Sequence, residues 1–274
     1  MLGVTIRCQA RFLRVARGYP GSHVHQFLPL LVMFSGVPLA LPVMSALPGG
    51  PIASRPLHFI WILDCSGSMA GEKIQQLNFA IREALPAMQD TAIENPNAQV
   101  LVRAITFSDG ARWHVGTPTP VANFKWTDVT PGGVTDMGTA LALVAEQLKI
   151  PPMTERALPP VLVLISDGGA TDDFSAGLKA LMSEPWGKKA VRLAIAVGRD
   201  ADHDVLTKFI GTGELQPMQA NNAPALVGYI KWASTAVLKA ASSPASTPTV
   251  TAVGGANVPI PTVPQGDPAV ADVW

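Results

Sequence analysis

Acidic residues and lysine are missing from the first 57 residues, and the first carboxylate in the chain is Asp64. Cysteine is nearly missing as well: Cys8 and Cys65 are too few for a disulfide framework. There is no excess of charge of either sign. The 20 basic and 20 acidic side chains cancel, so no basic face argues for nucleic acid. Charged residues are sparse at 15% against 48% hydrophobic ones, which is ample for the core of one sizeable domain with extensions.

Catalytic patterns are also lacking. In Gly67-Ser-Met-Ala-Gly71 a nucleophile elbow would need serine where Met69 stands. A phosphoryl-accepting Asp64 would need a second aspartate two residues on, and that position is Ser66. Gly211-Thr-Gly213 begins like a dinucleotide loop but lacks its last glycine and a strong preceding strand. His23, His25, His58, His114 and His203 pair with none of the acids at catalytic spacing. These absences point away from an enzyme and from a small-molecule substrate.

What the chain does have is His58-Phe-Ile-Trp-Ile-Leu-Asp64-Cys-Ser66-Gly-Ser68-Met69. An apolar run of this kind, bounded by polar and glycine signals, reads as a strand buried on both faces. Asp64 then falls at the carboxyl edge of a parallel sheet, where ligands bind. Asp64, Ser66 and Ser68 supply a carboxylate and two hydroxyls, an all-oxygen set that suits a hard cation such as Mg²⁺ or Mn²⁺ and not zinc. Cys65, between them, reads either as a small buried filler or as a redox switch.

Asp-x-Ser-x-Ser after a buried strand resembles the metal-ion-dependent adhesion site of von Willebrand factor A (VWA) domains. That site also takes a threonine and an aspartate from two further loops. Thr135 in Gly132-Gly-Val-Thr135-Asp-Met-Gly138 and Asp167 after Val161-Leu-Val-Leu-Ile-Ser stand in that order. The resemblance implies that Ser66, Ser68 and Thr135 touch the metal directly and that Asp64 and Asp167 act through water. It also implies an open metal position that accepts an acidic side chain from a protein partner. Met69, Asp136 and Gly168 are the expected partner-facing rim. Ile105-Thr-Phe107-Ser108, Ser166-Asp-Gly-Gly-Ala-Thr171-Asp172 and Tyr229-Ile-Lys231-Trp232-Ala-Ser234 are similar to bacterial VWA proteins of the TerY type, associated with tellurite resistance. Ala170 departs from the proline common there, and the Cys-rich region of some of those proteins is absent from this sequence. That subgroup implies a protein kinase or PP2C-type phosphatase as a signalling partner. A metal-independent scaffold and phosphoryl transfer through Asp64 are the alternatives.

The periodicities predict a three-layer, doubly wound α/β domain over 55–243. Its six-stranded sheet is mainly parallel, with one antiparallel edge strand at Arg112 to Thr117. Strands are predicted at 58–63, 99–107, 161–166, 190–197 and 215–219. A helix opens at Gly71-Glu72-Lys73 with Ile74, Leu77, Ile81, Leu85 and Met88 on its apolar face, and Pro86 is expected to kink or weaken it near its end. Further helices are predicted at 139–149, after Asp172 as N-cap, at 203–210, and after Asn221 or Asn222 with Leu226, Ile230, Ala233 and Val237 inward. Residues 1–54 read as an arm. It is disordered or precedes a true start at Met44, or it is an export signal or a proline-broken membrane span. The first reading makes the protein cytoplasmic. Residues 244–274, rich in Pro, Thr and Ala, read as a flexible tail ending in Trp274.

Overall fold

The computed structural model describes residues 54–211, 215–242 and 258–264. The expectations for the N-terminal arm, Cys8 and Trp274 lie outside these residues. Among the described residues, no helix is long and apolar enough to cross a membrane.

Six strands form one sheet: β1 (Arg55–Asp64), β2 (Ala98–Ser108), β3 (Gly110–Pro120), β4 (Val161–Ser166), β5 (Val191–Val197) and β6 (Met218–Ala220). Their order is β3-β2-β1-β4-β5-β6. All neighbours run parallel except β2 and β3, which are joined by a tight hairpin at Asp109. This is the sheet expected from the sequence, with β3 as the antiparallel edge.

Burial on both faces explains why β1 lacks an apolar–polar alternation. Leu57, Phe59, Trp61 and Leu63 point to one layer. There they meet α1 (Glu72–Glu94) through Ile74, Leu77, Ile81 and Met88, and α6 (Ala223–Trp232) through Leu226 and Ile230. Ile60 and Ile62 point to the other layer. They meet residues of α2 (Met137–Gln147), α3 (Phe174–Ser183) and α5 (His203–Ile210), including Leu141, Val144, Leu181, Leu206 and Phe209. A short α4 (Pro185–Lys189) leads into β5. Since successive side chains of a strand face opposite ways, an unbroken apolar run can fill both cores.

α1 continues through Pro86 to Glu94. Pro86 sits on an exposed side, where water can take up the carbonyl that its missing N–H leaves free. The last strand is β6 at Met218–Ala220, later than predicted. In the tail, residues 258–264 are not free of the domain. Val258 is buried, Ile260 and Val263 pack on the core, and Trp232 donates from Nε1 to the Thr262 carbonyl at 3.0 Å. Three apolar residues spaced by prolines make this contact, a local pattern that average tail composition hides.

Charge is buried in the sheet as well. His58 and Arg103 are 7% and 2% exposed. Arg103 donates to Gln147 Oε1 at 2.8 Å and lies 5.7 Å from the centre of the Trp113 ring. Burial, reinforced by the Arg103 charge, lowers the His58 pKa to about 4 from an ordinary 6.5. The fold therefore favours neutral His58, while the unfolded chain takes up a proton below pH 6.5. Stability from this source is complete above that pH and is lost as pH falls toward 4, an effect of about 3 kcal/mol. Urea unfolding at pH 7 and pH 4.5 should show a loss in the wild type that His58→Gln largely removes; equal losses in both would refute this assignment.

Candidate metal centre

The sheet register brings the loops together. Leu63 of β1 pairs with Ile165 of β4, so Asp64 and Ser166 end their strands side by side and Asp167 lies one residue beyond. Asp64 is fully buried. Its Oδ1 accepts the Ser66 N–H at 2.8 Å and its Oδ2 accepts the Ser166 hydroxyl at 2.5 Å. Burial raises the Asp64 pKa, and the Asp167 charge adds to this, while the bonds from Ser166 and Ser66 oppose it. The Ser66 and Ser68 hydroxyls are 2.9 Å apart, and Ser68 donates to Asp167 Oδ1 at 2.7 Å. The other oxygen of Asp167, Oδ2, is held by the Lys73 ammonium at 2.7 Å.

Thr135 is delivered by a second loop laced to the first. Gly67 donates its N–H to the Gly133 carbonyl at 3.0 Å, and Gly132 donates to the Cys65 carbonyl at 2.8 Å. Gly133 has φ 81° and lies against Asp109, where a Cβ would come within 2.6 Å of the carboxyl carbon. Only glycine fits this turn without strain. Asp109 in turn accepts the Val134 N–H at 3.0 Å. The third loop is tied to the second by Thr171, whose N–H donates to the Thr135 carbonyl at 2.9 Å and whose hydroxyl accepts from the Thr135 N–H at 3.0 Å.

The expected rim changes. Met69 is 0% exposed and belongs to the core. The 3₁₀ turn Gly67–Met69 turns its side chain inward, so it cannot face a partner. Asp136 is half-buried and acts as a brace, accepting from the Gly110 N–H at 2.7 Å and from the Thr171 hydroxyl at 3.1 Å. Gly168 is half-buried, and its carbonyl accepts from Ser166 at 3.2 Å. Val134, beside Thr135, is an apolar side chain left 47% exposed that the sequence reading did not single out.

Asp172 does not cap α3. Asp173, one residue later, does so by accepting from the Ala176 N–H at 2.9 Å. The Asp172 carboxylate reaches across to α2, which has no cap of its own, and accepts from the Gly138 N–H at 2.8 Å and the Thr139 N–H at 2.7 Å. These are two of the donors that a helix start leaves unpaired. The close approach needs Gly138, where a Cβ would come within 2.4 Å of the Asp173 carbonyl.

The donor set fits a hard cation. Adjacent oxygens around Mg²⁺, with bonds of about 2.0–2.1 Å at right angles, stand about 3 Å apart. The Ser66–Ser68 and Ser68–Asp167 contacts of 2.9 and 2.7 Å are near that spacing. Among the described residues, no group of three His, Cys, Asp or Glu side chains is arranged to hold a metal, so a cation here would depend on the hydroxyls beside the two carboxylates. Cys65 is 4% exposed, and burial, with the nearby Asp64 charge, pushes its thiol up to about 12. It is an inert filler, not a reactive thiol.

A family model for the von Willebrand factor type A domain matches residues 60–223, and the chain belongs to that family. No curated protein matches it. Among solved structures, proximal thread matrix protein 1 from the mussel byssus superposes with a TM-score of 0.51 at 14% identity, over 66% of this chain and 47% of that one. Another structure of that protein, described as having a zinc-occupied MIDAS motif, gives 0.49 at 15%, over 66% and 48%. The ArnB paralog VWA2 from Sulfolobus acidocaldarius gives 0.47 at 18%, over 65% and 45%. The chain spans less than half the length of these proteins, and at such identities the likeness is one of fold.

Because Asp172 fastens the second and third loops together, Asp172→Ala should cost about 0.5–2 kcal/mol of stability, the usual range for a lost helix cap. Denaturant unfolding measures it, and a change below about 0.3 kcal/mol would rule out the capping role.

Proposed function

We propose that this VWA domain is a divalent-cation-dependent protein-binding module. Ser66, Ser68 and Thr135 would hold Mg²⁺ or Mn²⁺ directly, and Asp64 and Asp167 would hold it through water. The carrying observation is the line of oxygens from Ser66 through Ser68 to Asp167 at the carboxyl edge of the sheet. The cation would supply an electron-poor position for an acidic side chain of a protein partner. With only neutral hydroxyls in direct contact, the two carboxylates would balance the cation's charge through water and not by direct contact, which favours an incoming carboxylate. Val134 offers apolar contact beside that position. The narrower TerY-type reading, with a protein kinase or PP2C-type phosphatase as partner, rests on the three short sequence motifs alone.

Phosphoryl transfer through Asp64 is disfavoured, because that carboxylate is fully buried and both its oxygens are already bonded. A metal-independent scaffold is the second reading. The Lys73–Asp167 pair favours it, since it neutralises one carboxylate without a metal.

A cation that binds only the folded chain stabilises it by about 2.7 kcal/mol at a hundredfold excess over Kd. Mg²⁺ should therefore raise the unfolding midpoint of the wild type but not of Thr135→Ala, which removes a hydroxyl and a methyl from a side chain 7% exposed. Partner capture should need Mg²⁺, fail in EDTA and fail with Thr135→Ala. Equal capture under all three conditions would sink the metal-dependent reading and leave the scaffold.

A further inference from the structure

Lys73 stands where a lysine is poorly placed. It is the second residue of α1, in the first turn, where the helix dipole repels a cation. Its side chain is only 20% exposed, whereas lysines are mostly exposed. Its ammonium lies 2.7 Å from Oδ2 of Asp167, whose side chain is 0% exposed. With Ser68 on Oδ1, both oxygens of Asp167 are engaged. The next carboxylate, Asp64, is joined to Asp167 through Ser66, whose N–H donates to Asp64 and whose hydroxyl pairs with that of Ser68.

A buried carboxylate without a counter-charge is costly, so something positive has to stand beside Asp167. Lys73 does so from within the chain, and a divalent cation at the hydroxyl set would do so from outside. Both draw on the same carboxylate, and two cations that share it repel each other.

Resting on the metal-site reading above, we propose that Lys73 is a tethered cation that competes with the metal for Asp167. It would lower the site's affinity for the metal and leave the loaded site more attractive to an acidic partner. The charge count gives the direction. Asp64 and Asp167 together carry −2, so a divalent cation alone brings the site to neutral. With Lys73 beside it the loaded site carries +1, and an incoming carboxylate then restores neutrality. Lys73 touches neither partner nor hydroxyl ligands in this scheme; it is a positioning residue that acts through Asp167. The pair makes the empty site stable in itself, so that metal uptake and partner uptake become coupled and the metal is held firmly only when an acid completes the charge balance.

The test uses the full chain and Mn²⁺ as probe, with free Mn²⁺ followed by its paramagnetic resonance signal. Lys73→Gln keeps a donor for Asp167 without the charge, Lys73→Met removes both, and Lys73→Arg keeps the charge. The neutral variants should bind Mn²⁺ about ten- to a hundredfold more tightly than wild type, the range over which outer partners move metal affinity. Lys73→Arg should bind like wild type. In EDTA, Lys73→Met should melt below wild type, and Mn²⁺ should restore it, which a purely structural ion pair would not allow. Mn²⁺ binding that is unchanged or weaker in both neutral variants, with wild type still binding, overturns the role of Lys73 alone. Failure of wild type and all variants to bind Mn²⁺ overturns the metal-site reading and this proposal with it.

Discussion

Two carboxylates, Asp64 and Asp167, lie buried at the ends of adjacent parallel strands, and their charge has to be balanced with little help from water. Much of the surrounding structure answers that constraint. Serine hydroxyls and one backbone N–H point at the carboxylates, and a lysine is held at the unfavourable end of a helix to reach one of them. Hydrogen bonds to a carboxylate favour its charged form, while burial works against it, and at Asp64 the burial effect is the larger. For the cation proposed above, these polar groups would already be pointed inward before it binds.

The loops that carry these groups are braced by one another and by the adjoining ends of β2 and β3. Backbone bonds join the Gly67 and Gly133 turns, Thr171 clasps Thr135 on both sides, and Asp136 and Asp172 each serve a loop or helix other than their own. Rigidity of this kind matters for a site built from neutral hydroxyls. Each one contributes little alone, and ordering costs incurred during folding need not be met again on binding.

The belonging of the chain to the VWA family agrees with a protein-interaction role, and the buried state of Asp64 weighs against a nucleophile there. The fold itself carries no function; the proposal stands on the oxygens at the sheet edge.

The sequence alone determined the elements whose signals are local and strong. The apolar run of β1 announced a strand covered on both faces, His203–Ile210 was legible as a short helix, and α6 showed its apolar period behind Asn221 or Asn222. The Asp64, Ser66 and Ser68 spacing was legible for the same reason, since all three lie within one turn. What tertiary structure alone decided was which polar group serves which neighbour. Met69 looked like rim and is core because a 3₁₀ turn rotates it inward. Asp172 looked like the cap of its own helix and caps another. Val258, Ile260 and Val263 looked like part of a free tail and pack on the domain. The partnership of Lys73 with Asp167, 94 residues away, left only one trace in the sequence, a lysine in the first turn of a helix. Periodicity reports which face of an element is buried, but not the direction or reach of a single side chain across a loop junction, and at this site those distances set the chemistry.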